Sequence, residues 1–77
     1  MKKYKRDNDG IKAFGDRLRE VRRSFGLSQE DLANMADLEV SQISRIERGI
    51  ISTSLSQIFL IAKTLKIHPK ELFDFEI

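Results

Sequence analysis

Apolar residues recur along this chain at spacings of three and four, broken by short polar gaps. Ile11, Phe14, Leu18, Val21 and Phe25 form the first such stripe, the periodicity of an amphipathic helix. Arg17, Arg19, Glu20, Arg22 and Arg23 fill its other faces. Gly26 then offers the left-handed conformation that ends helices, with Leu27 behind it. Ser28 and Asp31 have the spacing of an N-terminal capping box, so a second helix is predicted over about 29–36. Leu32, Ala33 and Ala36 give it a small inward face. After the turn Asp37-Leu38-Glu39, a third helix is predicted over about 40–48, with Ile43 and Ile46 inward and Gly49 as its stop. Residues 50–53 read as a loop. Ser54 and Gln57 suggest a second capping box, opening a helix with the stripe Leu55, Ile58, Ala62 and Leu65, widened by Phe59 and Ile61. Pro69 suits the first position of a short fifth helix capped by His68, with Leu72 and Phe73 closing the core. The tail, 73–77, alternates apolar and acidic residues in a strand period.

The pattern predicts an all-α fold of five short helices over residues 11–73, preceded by a polar segment at 1–10 and followed by a tail at 74–77. Seventy-seven residues bury one modest core. Without cysteine no disulfide can staple it, and one histidine without cysteine argues against structural zinc. No metal or cofactor is expected. No apolar run has the length of a membrane span, and the basic start has no apolar stretch behind it, so neither a membrane helix nor a signal peptide is expected and the cytoplasm is the default location.

Charge sharpens this picture through its distribution. Residues 1–27 carry nine Lys or Arg against four Asp or Glu, whereas residues 28–77 carry five against eight. A basic N-terminal third can supply a phosphate-binding surface, or only solubility. Lys2, Lys3, Lys5 and Arg6 read either as a flexible basic arm along DNA or as a solvated tail.

The informative unit is the helix, three-residue turn and helix over 28–48. So short a turn forces a steep crossing, and Ala33 and Ala36 allow close approach. The outer face of the third helix then carries Val40, Ser41, Ser44, Arg45 and Arg48. Those side chains suit a major-groove reader: arginine bonds guanine O6 and N7, serine donates or accepts, and valine meets a thymine methyl.

The runs Leu27-Ser28-Gln29-Glu30-Asp31-Leu32-Ala33 and Val40-Ser41-Gln42-Ile43-Ser44-Arg45-Ile46-Glu47-Arg48-Gly49 closely resemble the Cro- and phage-repressor-like helix-turn-helix family, also called XRE. The likeness extends through Leu55-Ser56-Gln57-Ile58 and Ile61-Ala62-Lys63-Thr64-Leu65 to Pro69-Lys70-Glu71-Leu72-Phe73, covering about residues 12–73. It implies a compact five-helix, lambda-repressor-like DNA-binding domain whose third helix reads the major groove. It places Val40, Ser41 and Arg45 among the base readers, where the outer helix face adds Ser44, and it places Gln29 and Arg48 at the phosphates, for which Gln42 and Arg22 are further candidates. It also pairs Arg22 with Glu47 as a structural ion pair.

Two positions depart from the family pattern. Glu39 stands where a small polar cap is usual. It either accepts from cytosine N4, repels unsuitable sites, or is merely solvated. Lys66 stands where a glycine often ends the fourth helix. Ile50, Ile51, Phe75 and Ile77 lie outside the predicted core, and Phe75 and Ile77 are candidates for a dimer interface, against a frayed tail.

The leading function is a homodimeric, sequence-specific regulator of transcription on a pseudo-palindromic double-stranded operator, either a repressor or an operon controller. The alternative is an antitoxin-like or adaptor subunit that uses the same helices for protein contacts. Catalysis is not expected: the sequence has no glycine-rich phosphate loop, no cysteine, and carboxylates that structure accounts for.

Overall fold

Asp7 decides where the first helix begins. Its carboxylate accepts from the Gly10 backbone N–H at 2.9 Å, satisfying one of the donors that a helix start leaves open. In the computed structural model, which describes residues 5–77, helix α1 therefore spans Asn8–Ser24 and starts ahead of the apolar stripe at Ile11. The segment expected as an arm joins this helix from Asn8 onward, while Lys2 and Lys3 lie outside the described residues.

Helices α2 (Gln29–Ala36), α3 (Val40–Glu47) and α4 (Leu55–Leu65) follow. Ser28 and Asp31 form the complete reciprocal capping box at α2, with both bonds at 2.9 Å. At α4 only half of the predicted box exists. The Ser54 hydroxyl accepts from the Gln57 N–H, but the Gln57 side chain takes a bond from Thr53 Oγ1 at 2.7 Å instead. The predicted fifth α-helix is a 3₁₀ turn, Pro69–Phe73, so the all-α fold has four α-helices and one such turn among the described residues. Its five residues allow only tight bonding, and His68 Nδ1 caps it by accepting from Lys70 N–H at 3.1 Å.

All four α-helices stop in one way. In each, a residue with positive φ (Gly26, Asp37, Gly49, Lys66) is followed by an apolar residue whose N–H reaches back five positions. These long bonds run from Leu27 to Arg22, Leu38 to Ala33, Ile50 to Arg45 and Ile67 to Ala62, at 2.9–3.2 Å. The pattern satisfies carbonyls that would otherwise be orphaned and turns an apolar side chain toward the core. Leu27, Leu38 and Ile67 pack there, whereas Ile50 remains exposed.

The core gathers Phe14, Leu18 and Val21 of α1, Leu32 and Ala33 of α2, Ile43 and Ile46 of α3, Ile58, Ile61, Ala62 and Leu65 of α4, and Leu72. α1 packs against both α3 and the 3₁₀ turn. Arg17 secures the second contact. Its Nε donates to Glu71 O at 2.7 Å, and its terminal nitrogens face Glu20, Glu71 and Asp74. Against α3, the contact is backbone to backbone. A Cβ at Gly15 would lie 2.3 Å from Ile46 O and 2.8 Å from Glu47 O, so no larger residue permits this approach.

Several apolar residues assigned to the core are instead exposed. Phe25 follows the end of α1 and points to solvent, as do Leu55 and Phe59. α4 is apolar on more than one side, and only its Ile58, Ile61, Ala62 and Leu65 side meets the core. Phe73 is half-exposed, although its ring lies 5.2 Å from that of Phe14. The tail forms no strand among the described residues. Asp74, at φ −82° and ψ 78°, makes an inverse γ-turn in which Phe75 N–H bonds Phe73 O at 3.0 Å. That turn directs Phe75 onto the core and leaves Ile77 80% exposed.

Two substitutions test these backbone arguments by chemical denaturation. Lys66→Gly removes a left-handed non-glycine residue and should stabilise the fold by about 1 kcal/mol, more than Asp37→Gly, since Asp tolerates that conformation better. An unchanged midpoint would show that the site is not strained. Gly15→Ala should cost about 3 kcal/mol or more by driving α1 off α3.

Candidate nucleic-acid interface

The turn between α2 and α3 depends on Asp37 at φ 56°, and Leu38 anchors it against the core. α3 then buries Ile43, Ile46 and Glu47. Its helical period leaves Val40, Ser41, Arg45 and Arg48 exposed, with Ser44 and Gln42 half-buried. The Arg45 side chain has no hydrogen-bond or ion-pair partner among the described residues, so its guanidinium is available. Arg48 Nε folds back on Ser44 Oγ at 3.2 Å. Glu39 is exposed at the start of α3 and its side chain does not cap the helix, as expected of a side chain too long for that role.

The inner end of α3 is held by charge. Glu47 is fully buried, which would be prohibitive for an unpaired carboxylate. Arg22 of α1 clasps it with two bonds, Nε to Oε2 at 2.7 Å and a terminal nitrogen to Oε1 at 2.9 Å. The remaining Arg22 nitrogen donates to Leu27 O at 2.7 Å. Gln29 of α2 donates to Glu47 Oε1 at 3.0 Å, and Arg19 Nε stands 3.5 Å from the same oxygen. No buried side-chain polar atom lacks a partner among the described residues.

Burial pushes the Glu47 carboxyl upward, but the bonds from Arg22 and Gln29 and the charges of Arg22 and Arg19 outweigh it. The net effect holds its pKa below the usual carboxylate value. Asp31 is also lowered, by its bonds with Ser28.

A helix-turn-helix family model matches residues 18–72, most of the chain. The chain belongs to the helix-turn-helix family. Among its relatives is the control protein C.BamHI of Bacillus amyloliquefaciens, 46% identical over 63 residues that cover 80% of this chain and 78% of that protein. The crystal structure of the restriction-modification controller protein C.AhdI from Aeromonas hydrophila is similar with a TM-score of 0.83 and 44% identity, over 86% of this chain and 96% of that one. The restriction-modification controller C.Esp1396I, solved as a tetramer in complex with its natural 35-base-pair operator, is similar with a TM-score of 0.75 and 28% identity, over 83% of this chain and 84% of that one.

In this helix-turn-helix protein the structure brings Val40, Ser41, Ser44 and Arg45 onto one helix beside Arg48. It brings Arg22 and Glu47 together as an ion pair. Arg22 is buried with its guanidinium engaged on all sides, which suits a structural post better than a phosphate contact. Gln29 is half-buried and bound to Glu47. Of the two tail residues, Phe75 packs partly against the core and Ile77 faces solvent. Sequence reasoning missed Arg19, although its place one turn before Arg22 was the available signal. It also missed Gln29 as a partner of Glu47, for which spacing gives no clue.

Because the folded-state pKa of Glu47 is depressed, its contribution to stability is present above the unfolded value of about 4.3 and is lost as pH falls through the folded value. Glu47→Ala should cost on the order of 3–5 kcal/mol at neutral pH. The gap to the wild type should narrow as unfolding is measured from pH 7 down to pH 3. A gap that stays constant with pH would show that Glu47 acts by packing alone.

Proposed function

We propose that the chain is a sequence-specific, DNA-binding transcriptional regulator that lays α3 in the major groove. The observation that carries this reading is the contrast between the two sides of α3. One is locked to α1 and α2 through a buried carboxylate, and the other presents an unpartnered Arg45 with Val40 and Ser41 beside it. Arg45 bonds guanine, Ser41 and Ser44 bond base edges or water, and Val40 packs on a thymine methyl. Gln29, Gln42 and Arg48 contact phosphates, with Gln29 placed at the N-terminus of α2, where backbone N–H groups favour an anion. Arg22 serves chiefly by fixing Glu47.

The relatives favour an operon controller of the restriction-modification kind, and a controller solved as a tetramer on its operator favours assembly on DNA. One domain this small makes few contacts, so two copies on an inverted repeat give useful affinity. Exposed apolar residues available for pairing include Ile77, with the partly buried Phe75 behind it, and Leu55, Phe59 and Leu60 on α4. No helix among the described residues is long and apolar enough to cross a membrane. We place the protein in the cytoplasm, with its DNA, and assign it no catalytic role.

Selection from random duplex DNA at physiological salt should enrich an inverted repeat with half-sites about one helical turn apart. On that duplex, Arg45→Ala should cost roughly 1–3 kcal/mol and relax preference at one base position. Equal weakening on every sequence would reduce Arg45 to a phosphate contact. Selection without enrichment by folded protein would favour a protein-interaction role instead.

A further inference from the structure

Arg6 precedes α1, yet its guanidinium reaches the far end of α3. It donates to Gly49 O at 3.1 Å and to Ile50 O at 2.6 Å, across 43 and 44 residues of sequence. These are the carbonyls immediately after the helix stop. The closing bonds of α3 use Arg45 O and Ile46 O, so Gly49 O and Ile50 O lie outside the helix's own ladder.

An open apolar groove lies beside the loop that follows, between residues 51–53, the start of α1 and the tail, and is lined by Ile11, Phe14, Ile58, Phe73 and Phe75. Ile51 packs against the core, while the Gly49–Ile50 step before it is tied to the start of α1 by the two Arg6 bonds. The charge of Arg6 also favours the negative end of the α3 dipole. It extends a row of α1 contacts on the same end of α3: Lys12 beside Gly49, Gly15 beneath Ile46 O and Glu47 O, and Arg19 toward Glu47.

We propose that Arg6 is a positioning residue for DNA binding: by tying Gly49 O and Ile50 O to the start of α1, it fixes the end of α3 that carries Arg48. The proposal rests on the DNA-binding reading above. Arg6 acts through the protein's own backbone and does not neutralise a phosphate, although a basic residue beside a DNA-binding helix invites that second role.

Salt dependence separates the two. Wild type, Arg6→Ala and Arg6→Lys are titrated against the duplex enriched by the wild-type protein, from low to moderate salt. Amide hydrogen exchange of Gly49 and Ile50 is followed in the free proteins. Arg6→Ala should weaken binding about five- to tenfold with an unchanged salt slope, and should speed exchange at both amides. Arg6→Lys, which keeps the charge but loses the two-pronged reach, should also speed exchange. A slope smaller by about 0.9 in Arg6→Ala with unchanged exchange would make Arg6 a phosphate contact and overturn the proposal. Faster exchange with undiminished binding would overturn it too, leaving only a stabilising tie. Failure of the wild type itself to bind any duplex would bring down the underlying reading, and is distinct from an indifferent variant beside a binding wild type.

Discussion

A single buried carboxylate sets the arrangement of the DNA-facing half of this domain. Glu47 has no exposure to solvent, so its charge must be met from within. Arg22 and Arg19 come from α1 and Gln29 comes from α2, which ties three helices to one side chain. An apolar residue at this position would remove the cost of burying a charge, but it would not specify direction. Paired bonds from a planar guanidinium fix distance and angle together. The electrostatics of the interior thereby orient the face that solvent sees. Hydrophobic burial, which is non-directional, holds the helices together without fixing that orientation.

Local chemistry performs a different task, deciding where each helix ends. The repeated closure at Gly26, Asp37, Gly49 and Lys66 ends each helix sharply, and at three of the four it turns the next apolar residue, Leu27, Leu38 or Ile67, onto the core. Two of these stops were legible as glycines. At Asp37 and Lys66 the same backbone shape occurs without glycine, because the core contacts of Leu38 and Ile67 outweigh a local cost of order 1 kcal/mol.

Local signals were legible in the sequence, and long-range ones were not. Period and caps located α2 and α3 closely, since both signals are local. The start of α1 was hidden because its cap, Asp7, precedes a polar first turn without a stripe. The short fifth helix was placed correctly, but its 3₁₀ winding depends on how few residues fit between the Pro69 start and the Asp74 turn. Burial on α4 was over-assigned because an apolar residue reads the same whether it faces the core or solvent. At the interface, the outer face of α3 could be read from the positions of Ile43 and Ile46. Contacts that depend on long-range geometry, such as Arg6 with Gly49 and Gln29 with Glu47, could not be read from spacing.

The seat of α1 on α3 at Gly15 has a consequence for how a site is judged. Backbone meets backbone there, with no side chain between that could change rotamer and absorb a displacement. A reading head mounted this way presents nearly one shape to every duplex. Adjustment to an imperfect fit then falls on the nucleic acid, whose readiness to bend and twist varies from one base step to the next. Sequence is in that case tested at base pairs the protein never touches, through the elastic work of bringing them into line.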